Sequence, residues 1–383
     1  MKIFLSFLQS AQQHPIPAYD FWQYYIKNGI EEARHQWSEC LDIDWALGLV
    51  PKSKDDHNQW KTDAWTKTVA WLKKHPADLF LSYLYPDQID ITAIHEIQKL
   101  GIPCVNFFCD NVRDFKKAPV EFEAFDLNWV PEYKAIKLYQ KAGYKYINAP
   151  MPIWVDPRLR TLSEESNKQI TFIGSKDIQR QLFFEELIQH APQLPLAIYG
   201  KGWDENILKQ LSTSANYTFN KKLRYQFNFI KKNGIAAYLR KLNNRNTSAS
   251  VSSALKSKIY GSPGFDQYNH LIATSMITVG VNRYPSFHFP IALPDTYSRL
   301  RDIEAPMLGA CYLTEYTEGI ENLYDLKKEI ETYKGPEDFI EKVNKLTFDH
   351  KQRNEMKTNG QKRALQDHSI PQSLNKILQR LSN

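Results

Sequence analysis

Cysteine is scarce: Cys40, Cys104, Cys109 and Cys311 are the only four in 383 residues, and no two of them form a CxxC pair. Such scatter excludes a disulfide framework and a cysteine-based zinc site, and it fits a reducing compartment. Ligand-spaced histidines are missing as well, since His14, His35 and His57 match no metal-binding pattern, so no metal is expected. Long apolar runs are also absent: none approaches the ~18 residues that a membrane span needs. The opening MKIFLSFLQSAQQH turns polar within a few residues and reads as a first β-strand rather than a signal peptide. No short-period repeat points to a solenoid.

What is there suffices for two cores: 42% of the residues are hydrophobic and 13% aromatic. The net charge of +6 is modest but concentrated. From Lys221 to Arg245 the chain has no acidic residue, and it interleaves Lys221, Lys222, Arg224, Lys231, Lys232, Arg240 and Lys241 with tyrosine, phenylalanine and isoleucine. This composition suits an anionic membrane surface or a polyanionic acceptor, and equally a solvated pair of basic helices. It contains no motif that reads nucleic acid.

Along the chain, strand and helix patterns alternate twice, which implies parallel sheets covered on both faces. Residues 1–150 form the first set, the proline-bearing 151–168 a linker, and 169–367 the second set, with an insertion at about 212–254. Residues 368–383 are expected as a helix packing back on the first domain. The spacing predicts that the helix YDFWQYYIKNGI closes at Gly29 and that the C-terminal helices break near Gly360 and Pro371.

Open sheets of this kind bind ligands at the carboxyl ends of their strands. In the second half these positions hold Gly174 and Ser175, then Gly200 and Gly202, where glycine lets a ligand approach the backbone or simply ends a strand. A helix predicted over Thr296–Met307 would offer its N-terminus to a diphosphate. Arg301 and Glu304, three apart, share one face of it: a ribose and phosphate site, or a surface ion pair. In the first half, Asp110 follows a strand and suits a catalytic base, a holder of an acceptor hydroxyl, or a helix cap. His14 and Asp20, in the first loop, are acceptor-side candidates of the same kind.

The run Arg301, Glu304, Ala305, Gly309, the strand ACYLT, and a loop with Thr317, Gly319 and Glu321 resembles the donor-binding signature of bacterial glycosyltransferases of the spore-maturation (group 1-like) family. TFIGS followed by Arg180, LAIYGKGW, and SMITVGVNR ending in Asn282 and Arg283 agree with it in order and spacing, as does the closing GQKRALQDHS. The resemblance implies a GT-B architecture, two Rossmann-like doubly wound domains facing across a cleft, with the acceptor side first and the nucleotide-sugar side second. It implies a cytoplasmic glycosyltransferase that passes a sugar to a glycan or related acceptor, and the basic insertion would hold that enzyme near a lipid-linked acceptor at the inner membrane face. It further implies Glu304 on the nucleotide ribose, Arg180, Arg283, Arg299 and Arg301 on phosphate, and no cofactor or metal. Asp42-Ile43-Asp44 is a DxD without the surrounding signature of a metal site. Two departures stand out: Thr296 replaces an acidic residue often found there, and Pro306 a small one, so the helix should end early. A sugar-nucleotide epimerase and a non-catalytic nucleotide-sugar-binding protein are the rival readings.

Overall fold

The computed structural model describes residues 1–7, 18–50, 53–164, 167–203, 250–286, 290–291 and 293–382. The first domain holds β1 (Lys2–Ser6), α1 (Ala18–Glu32), β2 (Gln36–Ser38), α2 (Lys54–Lys74), β3 (Leu79–Ser82) and α3 (Ile91–Lys99). It continues with β4 (Cys104–Phe107), α4 (Asn111–Asp114), β5 (Leu127–Trp129), α5 (Ile136–Ala142) and β6 (Tyr146–Ile147). The second begins with β7 (Asn167–Ile173), α6 (Ile178–His190), β8 (Leu196–Tyr199), α7 (Ser253–Lys256), β9 (Ile259–Tyr260), α8 (Phe265–Thr274) and β10 (Ser275–Gly280). It ends with α9 (Arg301–Met307), β11 (Tyr312–Glu315), β12 (Glu331–Tyr333), α10 (Pro336–Phe348), α11 (His350–Asp367) and α12 (Ile370–Ser382).

Among the described residues each sheet has six parallel strands, in the orders β2-β1-β3-β4-β5-β6 and β12-β11-β10-β7-β8-β9. Strand order reverses between β1 and β3 in the first and between β7 and β10 in the second, and ligands bind at such switch points. Parallel strands are covered on both faces, which is why β3 and β10 are buried throughout and read as apolar runs. Local chemistry sets the helix ends: the Asp90 carboxylate accepts from Ala93 N at 3.1 Å to start α3, and Gly143, at φ 75°, closes α5.

Several boundaries differ from the sequence expectations. α1 runs through Gly29 because a Cβ there would lie 2.4 Å from the Ile370 side chain, so the glycine seats α12 against α1. α11 likewise runs through Gly360, whose missing side chain makes room for the Glu329 carbonyl. The observed breaks fall at Asp349, away from Gly360, and at His368–Ser369, close to the one expected near Pro371. β2 and β12 are edge strands of three residues, too short for the alternation to show.

The expected helix over Thr296–Met307 is confined to Arg301–Met307. Thr296 instead bridges Arg283 antiparallel, and Tyr297 N donates to the Asn282 carbonyl at 3.1 Å, so these two residues pair as a strand and not as a helical turn. Pro306 sits in the last turn. It has no N–H for the Asp302 carbonyl, which accepts from the Tyr324 hydroxyl at 2.7 Å instead. In the segment after Pro150, Met151, Ile153 and Val155 are buried in the core. That core continues into the seam between the domains, where it takes in Ile303, Ala305 and Met307.

Candidate active site in the interdomain cleft

A cavity of about 670 Å³ lies where the carboxyl ends of the two sheets face each other. Its first-domain wall carries Trp22 of α1, Tyr83 and Tyr85 after β3, and Cys109, Asp110 and Arg113 after β4. Its second-domain wall carries Gly174 and Ser175 after β7, Arg180 in the first turn of α6, Val281 and Asn282 after β10, and Tyr297, Arg299 and Arg301 before and in α9. Both switch points therefore open into one space.

Asp110 has no side-chain bond to the amides of α4. That work falls to Glu132, which follows β5 and accepts from Val112 N at 3.3 Å. Asp110 is thus left to pair with Arg113, at 2.8 Å, on the cavity wall. Burial raises its carboxyl above the ordinary range, and Arg113 partly opposes this. Glu132 is buried more completely, and desolvation together with the Asp110 charge pushes it up to about 8.

Opposite, Gly174 leaves space for the Phe172 ring, 2.7 Å from where a Cβ would sit, with the Arg180 guanidinium next at 3.3 Å. Arg180 donates to the Ser175 carbonyl at 2.6 Å and lies 5.4 Å over the Phe172 ring, while Asp177 stands 3.3 Å away. Desolvation and the like charge of Arg299 push it down to about 10. The Arg299 guanidinium covers the Tyr297 ring at 4.6 Å and donates to the Arg283 carbonyl, yet its Nε is buried with no hydrogen-bond partner. Arg301 donates to Glu304 at 3.0 Å and to the Ile173 carbonyl at 3.2 Å. It is held above its ordinary range, despite desolvation, by Tyr268 and Glu304. Four guanidinium groups and one carboxylate converge on this space, a field suited to an oxyanion.

Other residues proposed from sequence stand elsewhere. Arg283 turns from the cavity to Glu315, which accepts from its Nε at 3.0 Å. Gly200 faces the Gly174 carbonyl, 2.2 Å from where a Cβ would sit, so it joins two loops rather than admitting a ligand. Gly202, at φ 81°, lies beside Lys176, and neither glycine lines the cavity. Gly319 packs on Tyr133 of the first domain, Thr317 is buried without lining the cavity, and Glu321 is exposed. Glu304 lies behind the wall. Its carboxylate accepts from Tyr25, Tyr268 and Arg301. Asp20 belongs to α1, while His14 and the basic stretch from Lys221 to Lys241 lie outside the described residues.

Two contributors escaped the sequence reading. Arg113 follows Asp110 by one helical turn, a spacing that signals the pair once α4 is recognised. Asp302 is fully buried inside the Arg301–Glu304 motif, and its oxygens accept from Ser298, Tyr312, Thr314, Asn282 and Arg299 N. It fixes the loop that carries Arg299, and it spends the Asn282 side chain on structure.

This architecture, two six-stranded parallel α/β domains with the site between them, is the GT-B glycosyltransferase fold, as solved structures confirm. HepE of Anabaena, in complex with UDP, matches over 100% of both chains at 12% identity with a TM-score of 0.55. Sucrose-phosphate synthase of Thermosynechococcus elongatus matches over 99% of this chain and 98% of its own, at 10% identity and TM-score 0.54. A glycosyltransferase of Rickettsia africae matches over 99% and 97%, at 10% identity and TM-score 0.56. More particularly, residues 249–379 match the family model described as glycosyl transferase-like. No curated protein sequence matches. Among the described residues no helix is long and apolar enough to cross a membrane.

Proposed function

We propose that the protein transfers a sugar from a nucleoside-diphosphate donor, a uridine one first among those to test, to a hydroxyl of a glycan or related acceptor. The observation that carries this is the convergence of Arg113, Arg180, Arg299 and Arg301 with Asp110 at both switch points. The guanidinium groups would take up the charge that develops as the nucleoside diphosphate departs, the task a metal would otherwise perform. This supports a metal-independent reaction. Asp110 would hold or deprotonate the attacking hydroxyl, its raised carboxyl placing proton affinity closer to neutrality. A donor complex of the HepE structure contains UDP-glucose, which supports the choice of donor class. The composition of the basic segment suggests that it holds the enzyme at an anionic membrane surface, on the cytoplasmic side where such donors are available.

Thermal unfolding with uridine, guanosine, thymidine and cytidine diphosphates tests the donor site. A ligand at 100 times its dissociation constant adds about 2.7 kcal/mol to the folded state. One nucleotide is expected to give that gain, and donor hydrolysis without added metal should follow for its sugar conjugates. A folded protein stabilised by none of them would overturn the proposal.

A further inference from the structure

A second cavity, of about 820 Å³, opens on the first domain beside the cleft. Leu49 and Tyr85 line both spaces, so the two are contiguous. One wall is the first two turns of α2, where Lys54, His57 and Lys61 follow each other at intervals of three and four and share one face. The His57 Nε2 is buried there without a hydrogen-bond partner. The other wall carries Tyr85, Phe115 and Glu121.

Packed aromatic rings connect the walls of the two spaces through the buried Phe108. Tyr83, on the cleft wall, stacks on Tyr85 with ring centres 5.9 Å apart. Tyr85 meets Phe108 edge-on at 4.9 Å, and Phe108 lies 5.2 Å from Phe115 on the wall of the second cavity. Tyr85 and Phe115 are only half-buried, which leaves ring surface accessible.

Resting on the glycosyltransferase function proposed above, we infer that the second cavity receives the outer residues of a neutral oligosaccharide acceptor whose reacting end lies in the cleft. Charge decides the class: Lys54 and Lys61 are balanced by Asp87 and Glu121 on the same lining, so the space carries no excess positive field for a phosphate or polyanion. Mixed donors and acceptors beside exposed aromatic faces match a hydroxyl-rich chain, whose polar edges need hydrogen bonds and whose CH faces lie flat on rings. Size agrees, because pockets of roughly 300–1,000 Å³ each hold a drug-sized ligand, and two in series exceed what one sugar ring can fill. A small aglycone would leave the second space unused.

The experiment is an array of neutral oligosaccharides from one to eight residues, with anionic glycans of matched length, probed with the full chain in the presence of UDP. Wild type, Phe115→Ala and the exposed Lys54→Ala are compared, and UDP thermal shifts are recorded for each. Retention is expected to rise with chain length, and both variants to lose about tenfold in affinity while keeping the UDP shift. Equal retention of mono- and oligosaccharides, retention of anionic glycans only, unchanged retention in both variants, or no retention by a protein that shows the UDP shift would each overturn the inference. A folded protein without any UDP shift would instead sink the proposed glycosyltransferase function. Should Phe115→Ala fail to fold, Lys54→Ala decides.

Discussion

The Tyr25 hydroxyl, on α1 of the first domain, donates to Glu304 Oε1 at 2.7 Å on α9 of the second, across 279 residues of sequence. The same carboxylate holds Arg301, and Tyr268 bonds to both. One buried acid therefore ties the domains together and restrains a cleft arginine.

Removing Tyr25 and removing Glu304 should have different consequences. Tyr25→Phe deletes one neutral donor to the carboxylate and leaves the Glu304–Arg301 pair intact, so unfolding free energy should fall by roughly 1.5–3 kcal/mol. Glu304→Ala leaves Arg301 buried without its counter-charge, and a loss of roughly 3–5 kcal/mol is expected. Urea unfolding of the two variants reads this directly. Equal losses would show that Arg301 does not depend on Glu304.

Gly29 and Gly360 should tolerate no side chain. A Cβ at either would meet its neighbour, Ile370 or the Glu329 carbonyl, at 2.4 Å. Alanine normally favours a helix over glycine, so propensity predicts stabilisation at both sites. Overpacking should win, with roughly 1–3 kcal/mol lost in each variant. A rise in melting temperature on Gly29→Ala would show that α12 is free to move off α1.

These two glycines also show where the sequence stops being legible. The two parallel sheets, the ends of β4, β7 and β10, and Asp110, Arg180, Arg299 and Arg301 on the cleft could be read from alternation and motif, because they depend on local pattern. Gly29 and Gly360 read as terminators, because the partner that needs each gap arrives from far along the chain. Arg283 and Glu304 carry the right chemistry for a ligand, but Glu315 and Tyr25 occupy them. Spacing along one strand or helix cannot reveal a competitor from another. The helix expected from Thr296 failed likewise, because its first turn is claimed by bridging to Arg283.

Stability should fall with rising pH through Glu132. Its ordinary value is 4.5 and its folded value about 8, so between these limits the folded state holds a proton that the unfolded state has released. The contribution is complete below pH 4.5 and is lost as pH rises through about 8, at up to ~1.4 kcal/mol per unit. Glu132→Gln removes the titrating group and keeps the shape. Melting curves from pH 5 to 9 should show the wild type losing ground to the variant from pH 5 up to about pH 8 and no further above it. Parallel curves would mean that Glu132 is charged in the folded protein.

Asp110→Asn separates chemistry from binding. The cleft arginines remain, so nucleoside-diphosphate affinity should be unchanged or improved, because a negative charge has been removed beside them. Transfer to acceptor should drop by about 10²–10⁴ if the carboxylate moves the proton. Donor titration and turnover on the same preparations provide both numbers. Retained turnover would reassign Asp110 to orienting Arg113.

Arg180 carries the sharpest test of the cleft as an anion site. Arg180 is buried near Arg299, and desolvation together with that like charge pushes it down to about 10. Interactions that serve a ligand are commonly held at the expense of the free protein. Arg180→Met, which keeps length and removes charge, should therefore leave the free protein as stable as wild type or more so. In saturating nucleoside diphosphate the order should reverse, because the variant has lost a charge-assisted partner for phosphate, worth roughly 1.5–3 kcal/mol. A structural arginine would behave in the opposite way, costing stability in the free protein and leaving the ligand-induced gain intact. Thermal unfolding of both proteins with and without ligand is enough to separate the two cases.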